Sequence, residues 1–178
     1  MKPLVIYGTG GHAAEIFGLI DAINTRQPTW DFAGFLVDLA YQAESELFGY
    51  PIFGDHCYLA ANPETAIVIA IGSGHIRQTV VEKIERIVVN PNFPTLIHPT
   101  AMVSRLAKLG KGNQICAQSI IQPRAIIGDH VIINIACSIS HDCTIGEFTT
   151  LAPGARLAGG VSIGNRTDIG IGAVVIPK

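Results

Sequence analysis

From Ser119 to Gly160 the chain reads SIIQPR-AIIGDH-VIINIA-CSISHD-CTIGEF-TTLAPG-ARLAGG, seven consecutive hexads with an aliphatic residue at the third place of each. The register extends outward through Val103, Leu109 and Ile115 on one side and Ile163, Ile169 and Val175 on the other. Thirteen aliphatics thus stay in phase over the 78 residues from Ala101 to Lys178, and a short fixed period is the mark of a stacked repeat, not of a closed globule. Position 1, two residues before the aliphatic and on the same face of a strand, is Ala, Asn, Ser, Val, Cys or Thr. Position 4 is mostly small, and positions 5 and 6 collect Gly, Pro, Asp, His, Arg and Lys, which suit corners. A short strand and a corner every six residues coil the chain into a prism. With three hexads to a coil, residues 18 apart stack, and Val103, Ile121, Ile139, Leu157 and Val175 form one internal ladder. Such units bury their faces only against their neighbours. The pattern stops at Pro177-Lys178 with no capping segment, so a further coil or a covering partner is expected there.

Composition separates the rest of the chain from this repeat. Residues 1 to 94 hold the only Trp, all four Tyr and six of the seven Phe, which argues for two domains, placed at 1–97 and 98–178. At 48% hydrophobic and 15% charged the chain can bury a core. A formal net charge of −2 offers no attraction to nucleic acid or an anionic membrane. No apolar run reaches the ~18 residues of a membrane helix, and the N-terminus reads as a strand, not a signal peptide. Cys57, Cys116, Cys137 and Cys143 form no C-x-x-C pair, so buried free thiols and a reducing cytoplasm are expected.

In the first domain Leu4-Val5-Ile6-Tyr7 is a strand, Gly8-Thr9-Gly10-Gly11-His12-Ala13 a glycine turn, and Ile16, Phe17, Ile20 and Ile23 recur with helical spacing. Gly8, Gly10 and Ala13 satisfy G-x-G-x-x-G/A in the context that lets backbone approach a diphosphate at a helix N-terminus. A tight turn with no ligand satisfies the same pattern. Phe32 to Val37 is a second strand ending at Asp38, near the place where such folds bind a ribose or sugar hydroxyl. Asp55 is placed to cap a brief helix to Ala61. Ala66 to Ile71 is a buried strand leading into Gly72-Ser73-Gly74, and Ile76, Val80, Ile84 and Ile87 mark a second long helix. Arg77 lies in its first turn, where ligand contact and solvated surface are equally open readings. About 95 residues make half a dinucleotide domain, which argues for a half-Rossmann unit holding a nucleotide or nucleotide sugar and against hydride transfer.

Of six histidines only His130 and His141 fall in the repeat, too few for the three imidazoles of a β-helix zinc site, so no metal is expected. His141 at position 5 and Asp142 at position 6 share an outward-facing corner. They read either as a hydrated corner or as a general base steered by its neighbouring carboxylate, since imidazole suits proton removal at neutral pH.

Five segments carry a resemblance: Gly8 to Ala13, Ile71 to Arg77, Ile97-His98-Pro99, Ser140-His141-Asp142-Cys143-Thr144-Ile145-Gly146-Glu147-Phe148, and Ile171 to Pro177. Together they resemble the hexapeptide-repeat acetyltransferases of nucleotide-linked amino sugars, the NeuD, PglD and perosamine N-acetyltransferase group. The resemblance implies an α/β half-Rossmann-like domain followed by a left-handed parallel β-helix, and a homotrimer with acetyl-CoA in the cleft between adjacent helices. Carried over by motif, His141 is the base and Asp142 its orienting acid. Gly10, Gly11, His12, Asp38 and Gly72 line the nucleotide-sugar site, with Arg77 a candidate beside them. Thr150, Gly159, Ile171 and Gly172 contact coenzyme A, the Gly159 N–H facing the oxyanion from one coil above His141. Val37 stands where some relatives carry an acidic residue, and relatives usually run on through another coil and tail.

The expected activity is transfer of acetyl from acetyl-CoA to the amino group, at C4, of a UDP- or GDP-linked amino-dideoxy sugar in the cytoplasm, for surface glycan or glycoprotein biosynthesis. A sialic-acid O-acetyltransferase uses the same base and stays open as an alternative. A trimeric scaffold that senses a nucleotide sugar without catalysis is the alternative of another class.

Overall fold

The structure is a computed structural model that describes residues 1–41 and 44–177. Two compact units emerge, one of Met1–Ile71 with Ile76–Pro94, the other of Gly72–His75 with Thr95–Lys178.

The first unit is built on a five-stranded sheet. Its strands are β1 (Lys2–Tyr7), β2 (Trp30–Val37), β3 (Glu46–Leu47), β4 (Tyr50–Gly54) and β5 (Ala66–Ile69), in the order β3-β4-β2-β1-β5. All neighbours are parallel except β3 with β4. Leu4, Val5 and Ile6 are fully buried and Ala66 to Ile69 nearly so, as parallel strands covered on both faces require. Helix α1 (Gly11–Arg26) buries Ala13, Ile16, Leu19 and Ile20, of which Ile16 and Ile20 lie on the periodicity read from the sequence. A short helix α2 (Asp55–Ala61) and the long α3 (Gly74–Ile87) follow. The cap of α2 differs from expectation. Gly54 stands at its N-cap, and the Asp55 side chain turns inward and is wholly buried.

The second unit is a parallel β-helix of two-residue strands. Three sheets run along it: β7 (Met102–Val103), β10 (Ile120–Ile121), β13 (Ser138–Ile139), β16 (Arg156–Leu157) and β19 (Val174–Val175); β8 (Lys108–Leu109), β11 (Ile126–Ile127), β14 (Thr144–Ile145) and β17 (Ser162–Ile163); and β6 (Leu96–Ile97), β9 (Gln114–Ile115), β12 (Ile132–Ile133), β15 (Thr150–Leu151) and β18 (Asp168–Ile169). Partners are 18 residues apart, Ile121 with Ile139 and Ile139 with Leu157, so the ladder expected from the sequence is formed. The helix also starts one hexad sooner. Leu96 pairs with Gln114 and the unit opens at Thr95, not at residue 98, because Thr95 to Thr100 is itself a hexad whose His98-Pro99 corner looks like a connector.

Two regularities explain how six-residue units stack. Position 6 adopts the left-handed conformation in eleven successive hexads, from Gly112 (φ 67°) to Gly172 (φ 65°). Seven of these residues, including Ala136 and Phe148, are not glycine and each accepts a strain of roughly 1 kcal/mol. What the turn gains is direction. The amides of Arg124, His130, Ala136, Asp142, Phe148 and Arg166 all donate to carbonyls one coil below. Position 1 supplies the second regularity. Ser119, Thr149 and Thr95 hydroxyls donate to the carbonyls of Asn134, Gly164 and Gly110, each 15 residues on, at 2.7–2.8 Å. Cys137 and Cys143 thiols take the same place, with Sγ 3.3 and 3.2 Å from the carbonyls of Ala152 and Ala158. Burial pushes both thiols above the usual cysteine range, which keeps them unreactive. The expectation of buried thiols holds for Cys116, Cys137 and Cys143, but Cys57, on α2, is exposed.

Candidate active site

In the first unit a cavity of about 390 Å³ opens where β1, β2 and β5 end, the usual ligand crevice of a parallel sheet. Tyr7, Gly8, Thr9, Val37, Asp38 and Ile71 line it from the strand ends, and Ile76, Thr79, Val80 and Lys83 from one face of α3. Gly8 is required by the chain itself. It has φ 119°, and a Cβ there would lie 2.9 Å from the Ala70 carbonyl. Gly10 and Gly11 are different: both are exposed, and a Cβ on either would touch nothing within 4 Å.

One end of the cavity is a charged network. The Lys83 ammonium lies 2.8 Å from Asp38 Oδ2 and also pairs with Oδ2 of the buried Asp55, which accepts the Tyr7 hydroxyl at 2.9 Å. Burial, then the Asp55 bond, pushes the Tyr7 phenol above the ordinary tyrosine range, so it stays protonated as a donor. Burial works against the Lys83 charge, but the bonds to Asp38 and Asp55 outweigh it and hold the ammonium protonated. Asp38 Oδ1 accepts the Ala40 amide at 3.2 Å, which fixes the carboxylate at the lip of the cavity. Tyr7, Asp55, Thr79 and Lys83 escaped the sequence reading. A signal existed for two of them, since Ile76, Thr79, Val80 and Lys83 fall at i, i+3, i+4 and i+7 on one face of the helix.

Arg77 is corrected by the structure. Neither of its open readings holds, because the side chain is fully buried and donates to the Ile71 carbonyl at 2.7 Å. It braces the strand end before Gly72 and does not line the cavity. His12 sets Nδ1 2.7 Å from Glu15 Oε2 on the first turns of α1. Gly72 is exposed, and its carbonyl accepts the Thr150 hydroxyl at 2.8 Å within the second unit.

In the β-helix the corner between β13 and β14 brings His141, Asp142 and Gly159 together. His141 Nδ1 lies 2.8 Å from Asp142 Oδ2, and the imidazole is 63% exposed. An Nδ1–H donated to the carboxylate leaves the Nε2 lone pair outward. Gly159 stands one coil above, and a Cβ there would be 2.6 Å from Cε1 and 2.8 Å from Nε2 of that ring. With the ring in this place, only glycine fits at this position. Its neighbour Gly160 donates to the His141 carbonyl at 2.9 Å. One coil below, Arg124 grips Asp142 with two bonds, Nε to Oδ1 at 2.6 Å and Nη2 to Oδ2 at 2.7 Å. Arg124 first and His141 second hold the Asp142 carboxyl far below the usual carboxylate range. The sequence reading missed Arg124, although subtracting 18 from 142 finds it.

The other residues expected at coenzyme A lie elsewhere on the prism. Thr150 begins β15, while Ile171, 81% exposed, and Gly172 form the corner before β19. A single chain thus joins Gly159 to His141 but keeps Thr150 and Ile171–Gly172 on other parts of the perimeter. Among the described residues, no group of three or more His, Cys, Asp or Glu side chains is arranged to hold a metal ion.

The fold has solved counterparts. The acetyltransferase domain of PglB from Neisseria gonorrhoeae FA1090, in complex with acetyl coenzyme A, superposes with a TM-score of 0.83 at 30% identity, covering 97% of this chain and 81% of that one. The chain belongs to the PglD-like family of sugar acetyltransferases. The PglD N-terminal domain family matches residues 3–84. PerB from Caulobacter crescentus, in complex with CoA and GDP-perosamine, superposes with a TM-score of 0.77 at 28% identity over 100% of this chain and 92% of that one. UDP-N-acetylbacillosamine N-acetyltransferase of Bacillus subtilis (strain 168) is 34% identical over 119 residues, 66% of this chain and 52% of that protein. The match thus spans about half the length of that curated relative. The architecture is that of the PglD-like family, a half-Rossmann-like α/β unit followed by a left-handed parallel β-helix.

Proposed function

We propose that this chain transfers acetyl from acetyl-CoA to the amino group, at C4, of a UDP- or GDP-linked amino-dideoxy sugar for surface glycan or glycoprotein biosynthesis. The observation that carries the reading is the His141 corner. A histidine with Nδ1 occupied by a carboxylate and Nε2 outward lies under a glycine that only the absence of Cβ allows there. Support comes from relatives whose names state acetyl coenzyme A, GDP-perosamine and UDP-N-acetylbacillosamine.

The chemistry follows from those atoms. The sugar amine attacks the thioester carbonyl in its neutral form, and His141 Nε2 takes the proton that the nitrogen sheds. The charge that develops on the carbonyl oxygen falls to the Gly159 N–H, which makes no backbone hydrogen bond among the described residues. Collapse breaks the C–S bond, and the imidazolium returns its proton to the coenzyme A thiolate. Asp142 keeps the imidazole in the tautomer that leaves Nε2 free and offsets its positive charge.

In this reading the nucleotide occupies the first-unit cavity, with Asp38 facing a hydroxyl or N–H donor and Gly10, Gly11 and His12 near the diphosphate. The exposure of Gly10 and Gly11 and the open space around both favour close approach. The dispersal of Gly159, Thr150, Ile171 and Gly172 around one prism favours a homotrimer, in which neighbouring helices supply different walls of one coenzyme A cleft. No helix among the described residues is long and apolar enough to cross a membrane. We infer a cytoplasmic protein, where acetyl-CoA is available and the buried thiols stay reduced.

The test is incubation of the full-length protein with acetyl-CoA and a panel of UDP-, GDP- and dTDP-linked amino sugars plus sialic acid, following thiol release. Release with an amino sugar is expected. Release with sialic acid alone would transfer the reading to O-acetylation, and release with none would sink it.

A further inference from the structure

Arg124 and Asp142 occupy position 6 of hexads one coil apart, and both are left-handed, with φ 63° and 60°. Equal backbone conformations at stacked positions send the two side chains off the corner in parallel, about 4.8 Å apart, the spacing of neighbouring strands. The guanidinium fork then meets the carboxylate squarely, at 2.6 and 2.7 Å. Oδ2 is shared, because His141 Nδ1 lies 2.8 Å from the same atom. Rotating the carboxylate away from the imidazole would therefore break both guanidinium bonds as well. Arg124 and Asp142 are 65% and 42% exposed, so the pair adds little to folding stability. Orientation and charge balance are what it can supply.

We propose that Arg124 is a positioning residue for the base at this corner, fixing Asp142 so that Oδ2 holds His141 Nδ1 and offsetting the carboxylate charge that the imidazole would otherwise feel. The proposal rests on the reading of His141 as the base. Asp142 lies beside the ring and Arg124 below Asp142; in the column of His141 itself Gly159 stands above, Pro123 below, and Arg105 two coils down. With Arg124 present, the Arg–Asp pair is nearly neutral toward His141. Removing it leaves a full negative charge beside the ring and stabilises the imidazolium.

The experiment is a pH titration of the His141 ring by NMR on the full-length protein without substrate, in the wild type, Arg124→Gln and Arg124→Lys. In Arg124→Gln the midpoint should rise by roughly half a pH unit, and in Arg124→Lys, which keeps the charge but loses the fork, by less than half of that. A midpoint within about 0.1 unit of wild type in Arg124→Gln would overturn the proposal. With an acceptor that the wild type turns over, the acid limb of kcat/KM should move the same way, and kcat should fall about fivefold with the KM for acetyl-CoA unchanged. An unmoved limb together with unchanged kcat would also overturn it. If the wild type turns over no acceptor, the reading of His141 as a base fails, while the ring titration still decides whether Arg124 governs that corner.

Discussion

The molecule holds two clusters of nearly the same composition in opposite surroundings. In the α/β unit a lysine and a phenol meet at the wholly buried Asp55, with Asp38 half-exposed at the cavity lip beyond them; at the corner of the β-helix an arginine meets one aspartate and an imidazole, all substantially exposed. The buried end, at Asp55 and Tyr7, is part of the fold, because each group there depends on the others for the hydrogen bonds that water no longer supplies. Exposed, such a cluster costs the fold almost nothing to lose and is free to act on a ligand. The contrast separates structure from chemistry better than residue type does.

The largest effect that could break this contrast is on turnover. His141→Ala should lower kcat at least about a hundredfold while the far-UV circular dichroism and melting temperature stay near wild type. Near-normal activity would remove the base from the corner. Asp55→Ala should act the other way, destabilising the α/β unit by roughly 2–4 kcal/mol because it strips partners from Lys83 and Tyr7. Trp30, the only tryptophan, lies in that unit, so fluorescence-monitored denaturation reports it. A midpoint unchanged from wild type would mean that the buried network is not structural.

A smaller effect sharpens the corner. Gly159→Ala places a methyl against the ring and should reduce kcat about tenfold or more, with stability nearly unchanged since the exposed imidazole can swing aside. Equal activity in the variant would argue against a reacting group between Gly159 and His141. The smallest concerns Asp142 alone. A carboxyl whose folded pKa is depressed contributes above its unfolded value and loses that contribution only as pH falls through the folded one. Its side-chain ¹³C shift should therefore stay that of a carboxylate from pH 5 to pH 3, below the usual aspartate range of about 4. Movement in that window in the wild type would contradict the Arg124 grip.

Much of this was legible early because a strict period is a geometric statement. Three hexads to a coil already set Gly159 over His141, and the glycine itself is the residue that contact demands. The same arithmetic reaches Arg124 from Asp142, yet an arginine at an exposed corner has so many ordinary uses that nothing marks it until the fork is seen. Arg77 shows the reverse failure. A charged residue in the first turn of a helix looks solvated, and its burial against the Ile71 carbonyl depends on how strand end and helix close together. Asp55 likewise satisfies every local rule for a cap, but the partners that turn it inward lie 48 and 28 residues away, at Tyr7 and Lys83.

The sequence by itself determined the coil, the direction of its core and the identity of the stacked columns, because each is a consequence of spacing along the chain. The half-Rossmann character of residues 1–94 and the His141–Asp142 corner were local in the same sense. Tertiary structure alone decided which polar groups are buried and with whom they pair. It also decided that position 6 turns left-handed even where it is alanine or phenylalanine. There the amide must point at the coil below, and the hydrogen bond so formed, repeated along the stack, outweighs a strain that the residue's own preference would avoid.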